Sequence, residues 1–247
     1  MPVRLKLVIA YNGASFAGWQ SQSHGNTIQD HLEAALKRIA GEKVRVHGAG
    51  RTDTGVHALG QCAHIDVNPR RLPPEKWAAA LNASLPPAIR VLRCARVAED
   101  FHARFSAKGK TYRYRIWMGT VLPPFEYERA WHLVQPLDFA TLHKAAQTFA
   151  GTHDFAAFAA NRGRPQTDTV RTINRVGVRR SGPRVTLEFE GDGFLYKMVR
   201  MMVGSLVQCG QGKLAAAELR ERLKNQRPSA GRLVAPAAGL YLLRVRY

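Results

Sequence analysis

Hydrophobic and polar positions alternate at the start of the chain, and the same alternation returns beyond its middle. Val3–Ile9 alternates apolar with basic side chains, the period of two that is typical of a half-buried β-strand. After a loop rich in glycine and serine, Thr27–Asp30 has the spacing of a helix capping box, and Gly41 is a typical helix end. The apolar stripe of the helix between them consists of Ile28, Leu32, Ala35, Leu36 and Ile39. A further strand is predicted at Val44–Val46.

The second half of the chain repeats this order of elements. Thr111–Ile116 alternates like the first strand, and the apolar positions of Asp138–Ala150 predict a helix that Gly151 ends. The elements predicted after it are strands at Arg175–Arg179 and Val185–Glu190 and a helix at Phe194–Val207. These patterns predict an α+β fold of two similar halves, 1–107 and 108–247, each with a mainly antiparallel sheet.

Composition and charge narrow the classes of protein. The 247 residues are 45% hydrophobic and 22% charged, both near the averages of globular proteins, which excludes a disordered or collagen-like chain. The 37 Lys and Arg residues outnumber the 18 Asp and Glu residues and give a formal net charge of +19. This excess favours a polyanionic partner, because guanidinium groups bind phosphates and stack on bases. The alternative is a solvated basic surface without a specific partner.

Cysteine content and hydropathy exclude further classes. The three cysteines are widely spaced and odd in number, which supports neither a disulfide framework nor a thiolate zinc site; they are Cys62, Cys94 and Cys209. The longest uncharged stretches, 201–212 and 233–243, are well below the roughly 18 residues that a membrane span requires. We therefore expect a cytoplasmic protein without a membrane partner.

The segment His47–Ala58 combines glycines with ionisable side chains. Its three glycines allow tight turns or a close approach of the backbone, and Arg51 and Asp53 lie between them. The spacing matches neither the dinucleotide-binding fingerprint nor a phosphate-binding P-loop. From these residues alone, two interpretations stay open: a catalytic loop, or a tight turn that Asp53 caps while Arg51 pairs with a neighbour.

Gly50–Ala58 resembles the signature of the tRNA pseudouridine synthase A family. Other blocks resemble the same family, in the family's order and from end to end of the chain. They are Tyr11–Gly13, Phe16–Gln20, Asn82–Pro86, Phe101–Ala107, Lys110–Tyr114, Met198–Arg200 and Gly239–Leu242. Agreement over so many ordered blocks argues against Asp53 as a turn cap alone.

The resemblance implies a reaction and roles for five residues. Asp53 corresponds to the family's catalytic aspartate, the nucleophile in a reaction that breaks the N-glycosidic bond of uridine, turns the uracil and rejoins it through carbon. Arg51 corresponds to an arginine that contacts RNA and helps to displace the target nucleotide from its stack. Tyr112 corresponds to a tyrosine that stacks on the uracil, and Arg200 to an arginine that pairs with the aspartate. Leu240 corresponds to an apolar residue of the pocket.

The same residues have simpler interpretations without the resemblance. Arg51 would form a structural ion pair with Asp53. Tyr112 would be a half-buried aromatic residue of a strand, and Leu240 would belong to the core.

The resemblance also implies RNA-binding segments. Residues 101–105 interleave aromatic and basic side chains, which suits stacking on bases together with phosphate contact. Residues 162–167 occupy the place of a family loop that touches RNA, although their sequence differs from its usual pattern. For any single arginine, a merely solvated position is an equal alternative. The predicted RNA-binding residues are Phe101, His102, Ala103, Arg104, Phe105, Arg71, Arg162, Gly163, Arg164, Pro165, Gln166 and Thr167.

Neither a metal nor an organic cofactor is expected. His47, His57 and His64 lie near Asp53 and Asp66 in sequence, but their spacing fits no established ligand pattern. The family that the chain resembles requires no metal or cofactor. We expect each half to be an antiparallel sheet with helices on one face, like an RRM or ferredoxin-like fold, and the two sheets to be continuous around a central basic cleft.

Three functions are compatible with these residues. The first is an enzyme that isomerises uridine at positions 38, 39 and 40 (tRNA numbering) in the anticodon stem-loop. The second is a non-catalytic tRNA-binding or chaperone protein, and the third is a sibling synthase with another RNA target. Asp53 favours an enzyme over a pure binder, because an acid that faces phosphates opposes affinity. The resemblance further implies a homodimer whose subunits together hold one tRNA.

Overall fold

The computed structural model describes residues 2–23, 25–160, 168–225 and 233–247. The strands are β1 (Val3–Tyr11), β2 (His47–Gly48), β3 (His57–Val67), β4 (Ile89–Arg96), β5 (Gly109–Trp117), β6 (Trp131–His132), β7 (Gly151–Asp154), β8 (Val170–Ser181), β9 (Arg184–Gly191) and β10 (Leu240–Arg246). The helices are α1 (Ile28–Ala40), α2 (Trp77–Ser84), α3 (Phe139–Ala146), α4 (Met198–Gly210) and α5 (Ala216–Asn225). Within the ranges described, no helix has the length and apolar character that crossing a membrane requires.

The chain forms two compact units. The first contains Met1–Lys108 together with Tyr241–Tyr247, and the second contains Gly109–Leu240. The α+β class with mainly antiparallel sheets is confirmed. The predicted second half, 108–247, includes residues 241–247, whereas these residues, most of β10, belong to the first unit. The partner of β10 there is β3, which sequence periodicity alone does not reveal.

The sheet of the first unit has the order β4-β1-β3-β10, and β2 pairs with β3. β1 is antiparallel to both of its neighbours, whereas β10 runs parallel to β3. Leu5, Leu7 and Ile9 are fully buried, while the residues between them on β1 are half-buried. The alternation seen in the sequence therefore separates a covered face of the sheet from a more open one.

Helix α1 begins and ends where the sequence predicts. The side chains and backbone amides of Thr27 and Asp30 form the reciprocal bonds of a capping box, and Gly41 adopts a left-handed φ of 76°. The predicted strand at Val44–Val46 is wrong. The backbone N–H of Val46 donates to Glu33 Oε1 and its carbonyl accepts from Gln29 Nε2, so side chains of α1 replace a neighbouring strand. The short strand begins instead at His47.

The sheet of the second unit has the order β5-β9-β8-β7, with antiparallel neighbours throughout, and β6 adds to β5 in parallel. The strand predicted at Arg175–Arg179 lies within β8, and the strand predicted at Val185–Glu190 lies within β9. On β9, Val185, Leu187 and Phe189 are buried and alternate with more exposed residues, as expected from the sequence.

The helices of the second unit differ from the prediction at their ends. Asp138 caps α3 through the backbone N–H groups of Ala140 and Thr141, and the helix passes into a 3₁₀ turn at Gln147–Phe149. Helix α4 begins four residues later than predicted, because Lys197 has a left-handed φ of 59°, which a continuing right-handed helix excludes.

Candidate functional site

The loop between β2 and β3 carries Asp53 and is held against the loop that follows β1. The backbone N–H of Trp19 donates to the Thr52 carbonyl over 3.0 Å. Gly18 has a φ of +91°, and a Cβ atom there would lie 2.7 Å from that same carbonyl oxygen. Only glycine tolerates both this conformation and this approach, which explains the small residues in the two loops.

Asp53 itself lies in a tight turn with defined backbone on both sides. Its main-chain carbonyl accepts from Val56 N–H over 3.1 Å, and Gly55 supplies the left-handed φ of 77°. On the other side, Thr52 Oγ1 is 2.8 Å from the hydroxyl of buried Tyr11. Burial raises the pKa of Tyr11, so this hydroxyl keeps its proton. The half-buried Asp53 carboxylate is thus borne by a rigid backbone, as a nucleophile requires.

Arg51 is exposed two residues before Asp53. Its Nε donates to Gln20 Oε1 over 3.0 Å, so the opening loop also orients this side chain. An exposed guanidinium beside the candidate nucleophile is available for a phosphate or a displaced nucleotide.

His57 has a structural environment. It is buried, its Nδ1 accepts from the backbone N–H of Gly13 over 3.1 Å, and its ring stacks on Tyr241 with centroids 4.6 Å apart. This places its remaining proton on Nε2 and connects the loop that follows β1 to β3 and β10.

The predicted RNA-binding segment 101–105 forms a turn after β4 with an aromatic and cationic surface. Phe105 is 76% exposed, and the guanidinium of Arg104 lies 5.5 Å from its ring centroid. Ala103 is fully buried, and its carbonyl accepts from the Tyr247 hydroxyl over 2.7 Å. A large aromatic ring exposed beside a guanidinium suits a stacking platform for an unpaired base. That this segment binds RNA stays a prediction.

A group of three imidazoles lies next to this segment and was not predicted as a group. His47 and His64 are paired across β2 and β3, and His102 completes the group, with one ring nitrogen of each within 4.8 Å of the others. We call these three residues the histidine cluster. His57 lies close to His47 and His64 in the sequence, yet the structure places it against Gly13 and not in the cluster. Strand pairing between β2 and β3 was the missing information.

Other predicted RNA-binding residues lie elsewhere. Arg71 is exposed in the turn before α2, and its guanidinium lies beside Gly41, at the end of α1. The remaining predicted positions lie outside the described residues; they are Arg162, Gly163, Arg164, Pro165, Gln166 and Thr167.

The second unit contains the other three predicted substrate-binding residues. Tyr112 on β5 is buried, with Phe194 edge-on at 4.9 Å between centroids. Arg200 on α4 is half-buried, and its Nε donates to the Ala235 carbonyl over 2.7 Å. Leu240 is buried at the first position of β10. Each residue is therefore fixed by its own packing, and their joint action on a substrate stays a prediction.

Comparison with known proteins identifies the family. A family model described as tRNA pseudouridine synthase matches residues 7–106 and 145–247. The chain belongs to the tRNA pseudouridine synthase family. The match includes the Asp53 loop, segment 101–105 and helix α4. The predicted class of enzyme, an isomerase that acts on uridine in tRNA, is thereby confirmed.

Several relatives match over nearly their whole length. A tRNA pseudouridine synthase A of Akkermansia muciniphila is 45% identical over 99% of this chain and 95% of its own. The protein of the same name from Acetivibrio thermocellus is 43% identical over 98% and 99%, and that from Rhodospirillum rubrum is 44% identical over 99% and 88%. Among solved structures, a chain from a Cbf5–Nop10–Gar1 complex aligns with a TM-score of 0.35 and 10% identity over 96% of this chain and 56% of that one. That similarity is too low to support an argument about this synthase.

Proposed function

We propose that this tRNA pseudouridine synthase modifies positions 38, 39 and 40 of the anticodon stem-loop, with Asp53 as the nucleophile. The observation that carries the proposal is the rigid turn that bears Asp53 inside the motif Gly50–Ala58, in a chain more than 40% identical to proteins named tRNA pseudouridine synthase A. The choice of the anticodon stem-loop rests on the resemblance described above. A sibling synthase with another target position is the competing proposal.

The proposed reaction gives a covalent role to Asp53, which lies in the same loop as Arg51. The aspartate adds covalently to the sugar or to the base, the bond between the sugar and N1 of uracil breaks, and the uracil turns. A carbon of the ring then bonds to the sugar and gives up its proton, the freed N1 takes up a proton, and the carboxylate leaves. Because the product is an isomer of the substrate, no redox partner or second substrate is needed.

The other predicted residues bind and orient the nucleotide in this proposal. Arg51 contacts the RNA and stabilises the displaced nucleotide. Tyr112 stacks on the uracil, and its hydroxyl assists the transfer of the proton from the turned base. Arg200 and Leu240 are substrate-binding residues. The Nε of Arg200 donates to the Ala235 carbonyl, which anchors this side chain on the segment beside α4.

We also propose that the protein acts in the cytoplasm as a homodimer whose subunits hold one tRNA. The exposed apolar side chains Phe125 and Tyr127, which are 84% and 66% exposed, are candidates for a subunit contact. Light scattering that finds a monomer at working concentration would contradict the dimer.

The nucleophile is tested by Asp53→Asn in a pseudouridine assay with an unmodified tRNA transcript. The substitution keeps the size of the side chain and removes its charge, so turnover should fall at least about a thousandfold while tRNA affinity stays within about threefold. Asp154→Asn, a change at the end of β7, is the matched control and should keep wild-type turnover. Wild-type turnover in Asp53→Asn would remove Asp53 from the mechanism.

A further inference from the structure

The histidine cluster offers hydrogen-bond donors rather than metal-binding lone pairs. His64 Nδ1 accepts from the backbone N–H of Ala103 over 3.1 Å. His102 Nδ1 accepts from Arg104 N–H over 3.1 Å and from Phe105 N–H over 3.3 Å. A neutral imidazole that accepts at Nδ1 carries its proton on Nε2. Both rings therefore present an Nε2–H group.

This tautomer disfavours a metal ion at the cluster. A histidine that binds a metal through one nitrogen usually donates its other N–H to a carbonyl or carboxylate. In His64 and His102 the other nitrogen is occupied as an acceptor instead. Three converging imidazoles, of which His47 is exposed, His102 half-buried and His64 buried, and of which two carry an Nε2–H donor, are suited to an anion.

The surroundings of the cluster are cationic. Lys6 on β1 lies opposite His64 on β3, and Arg4 lies two residues before Lys6. Arg104 follows two residues after His102 in the turn. Glu99 and Asp100, just before the turn, also act on Arg4 and help to raise its pKa. Asp66 is the acid on β3 two residues from His64, and Arg4 binds it through two hydrogen bonds of 2.7 and 2.8 Å, which lowers the pKa of Asp66. The acid is thus neutralised by its own partner, and the net field at the cluster attracts anions.

The protonation state follows from the same contacts. Burial, together with the neighbouring His47, Arg4 and His102, lowers the pKa of His64 to about 4, although Asp66 acts in the opposite direction. Burial, His47 and Arg4 also lower the pKa of His102. A proton on either Nδ1 would break the bonds to the backbone of 103–105 and disturb the fold of this segment. Both rings therefore stay neutral near pH 7 and donate without carrying charge.

We propose that the histidine cluster binds a phosphate group of the RNA through the Nε2–H donors of His64 and His102, with exposed His47 at its rim. The inference rests on the proposed function, since it takes the RNA substrate as the source of the phosphate. It fits the position of the cluster beside Phe105, because a phosphate held at the cluster leaves a neighbouring base within reach of the exposed ring. The cluster then sets the register of the RNA on segment 101–105.

Substitution of His102 by Asn tests the donor. The Asn carbonyl can keep the Nδ1-type acceptor for Arg104 and Phe105, whereas the Nε2–H is lost. Binding of an unmodified tRNA transcript should weaken about three- to tenfold, by the same factor at about pH 6.5 and about pH 8, because the donor is neutral at both. His64→Asn should weaken tRNA binding by a similar factor, also independent of pH. His143→Asn, an exposed histidine of α3, is the matched control and should bind as wild type.

Nitrogen NMR of the wild-type imidazoles makes the test independent of variant folding. Inorganic phosphate or the tRNA transcript should shift the Nε2–H signals of His64 and His102 and leave His143 unchanged. Wild-type tRNA affinity in both folded variants would overturn the proposal, and so would phosphate shifts without any effect of tRNA. Zn²⁺ bound tightly at the cluster, or a loss of binding confined to acidic pH, would also overturn it.

The outcome is separable from the proposed function. Pseudouridine formation by the wild type together with unchanged tRNA affinity in the variants would remove the phosphate site and leave the synthase proposal intact. Weakened tRNA binding in the variants, with no pseudouridine formed by the wild type at positions 38–40, would support the phosphate site and contradict the proposed target positions.

Discussion

At the residue scale, the position of Asp53 depends on neighbours that carry no charge. Gly13 and Gly18 leave room for the backbone of the Asp53 loop, since a Cβ atom on Gly13 would overlap the Val56 carbonyl. The Tyr11 hydroxyl binds Thr52 from the interior. Because these contacts fix the backbone, the proposed reaction of the Asp53 carboxylate would cost little conformational entropy.

His64 should make the free energy of unfolding of the first unit depend on pH. Its pKa of about 4 lies below the ordinary value of about 6.5, so the unfolded chain takes up the proton first as the pH falls. Its contribution is complete above about pH 6.5 and is lost as the pH falls toward 4. Between about pH 7 and pH 4.5 the wild type should lose about 2 kcal/mol of unfolding free energy that His64→Asn does not lose. Urea unfolding at both pH values checks this, and parallel losses in the two proteins would contradict it.

Single residues were predictable where the motif itself carries the chemistry. Asp53 and Arg51 stand out in the sequence because glycines surround them, and the structure places them in a rigid turn beside the opening loop. The histidine cluster was not predictable, because His102 is remote in sequence and only strand pairing joins His47 to His64. A role in substrate binding cannot be read from Leu240, since its burial is equally that of a core residue.

At the scale of elements, the segment 233–235 fixes helix α4 and with it Arg200. The backbone N–H of Ala235 donates to the Arg200 carbonyl, and the Ala235 carbonyl accepts from Arg200 Nε. One turn further along α4, Gly204 faces the Leu233 carbonyl so closely that a Cβ atom would overlap it. The segment can lie along the helix only because this position lacks a side chain.

Gly204→Ala should therefore destabilise the protein, although alanine is the better helix former. Helix propensity alone predicts a gain of about 0.5–1 kcal/mol, whereas the overlap with Leu233 predicts a loss of about 1–3 kcal/mol. Denaturant unfolding decides the sign. Gly177→Ala on β8 is the control, because its added methyl group would meet only Glu188 Cβ at 3.8 Å and should change stability by less than about 1 kcal/mol. A gain in Gly204→Ala would show that the segment does not constrain α4.

Elements were predictable where local chemistry decides them. Thr27, Asp30 and Gly41 define both ends of α1, and the structure confirms each contact. The prediction failed at Val44–Val46, where Val44 and Val46 are buried as in a strand, but the backbone N–H and carbonyl of Val46 are hydrogen-bonded to side chains of α1. The predicted start of the last helix at Phe194 was also wrong. Lys197 has a left-handed conformation, so α4 begins only after it, and lysine has no intrinsic preference that would reveal this conformation in the sequence.

At the scale of the whole molecule, the net charge of +19 explains affinity for RNA but not catalysis. In the proposed function the chemistry belongs to one acid, Asp53, and the donors of the histidine cluster are neutral. The basic residues supply binding that depends on salt and is largely indifferent to sequence. The choice of nucleotide must then come from the residues that surround Asp53 and from the stacking surface at Phe105.

The central claim is that this synthase, through Asp53, modifies the anticodon stem-loop. It is tested most directly by mapping pseudouridines in the bulk tRNA of cells that lack the protein and of the same cells supplied with wild type or Asp53→Asn. Pseudouridine at positions 38, 39 and 40 should disappear without the protein, return with the wild type and stay absent with Asp53→Asn. Unchanged modification at these positions in the cells that lack the protein, or a loss confined to other positions, would contradict the account.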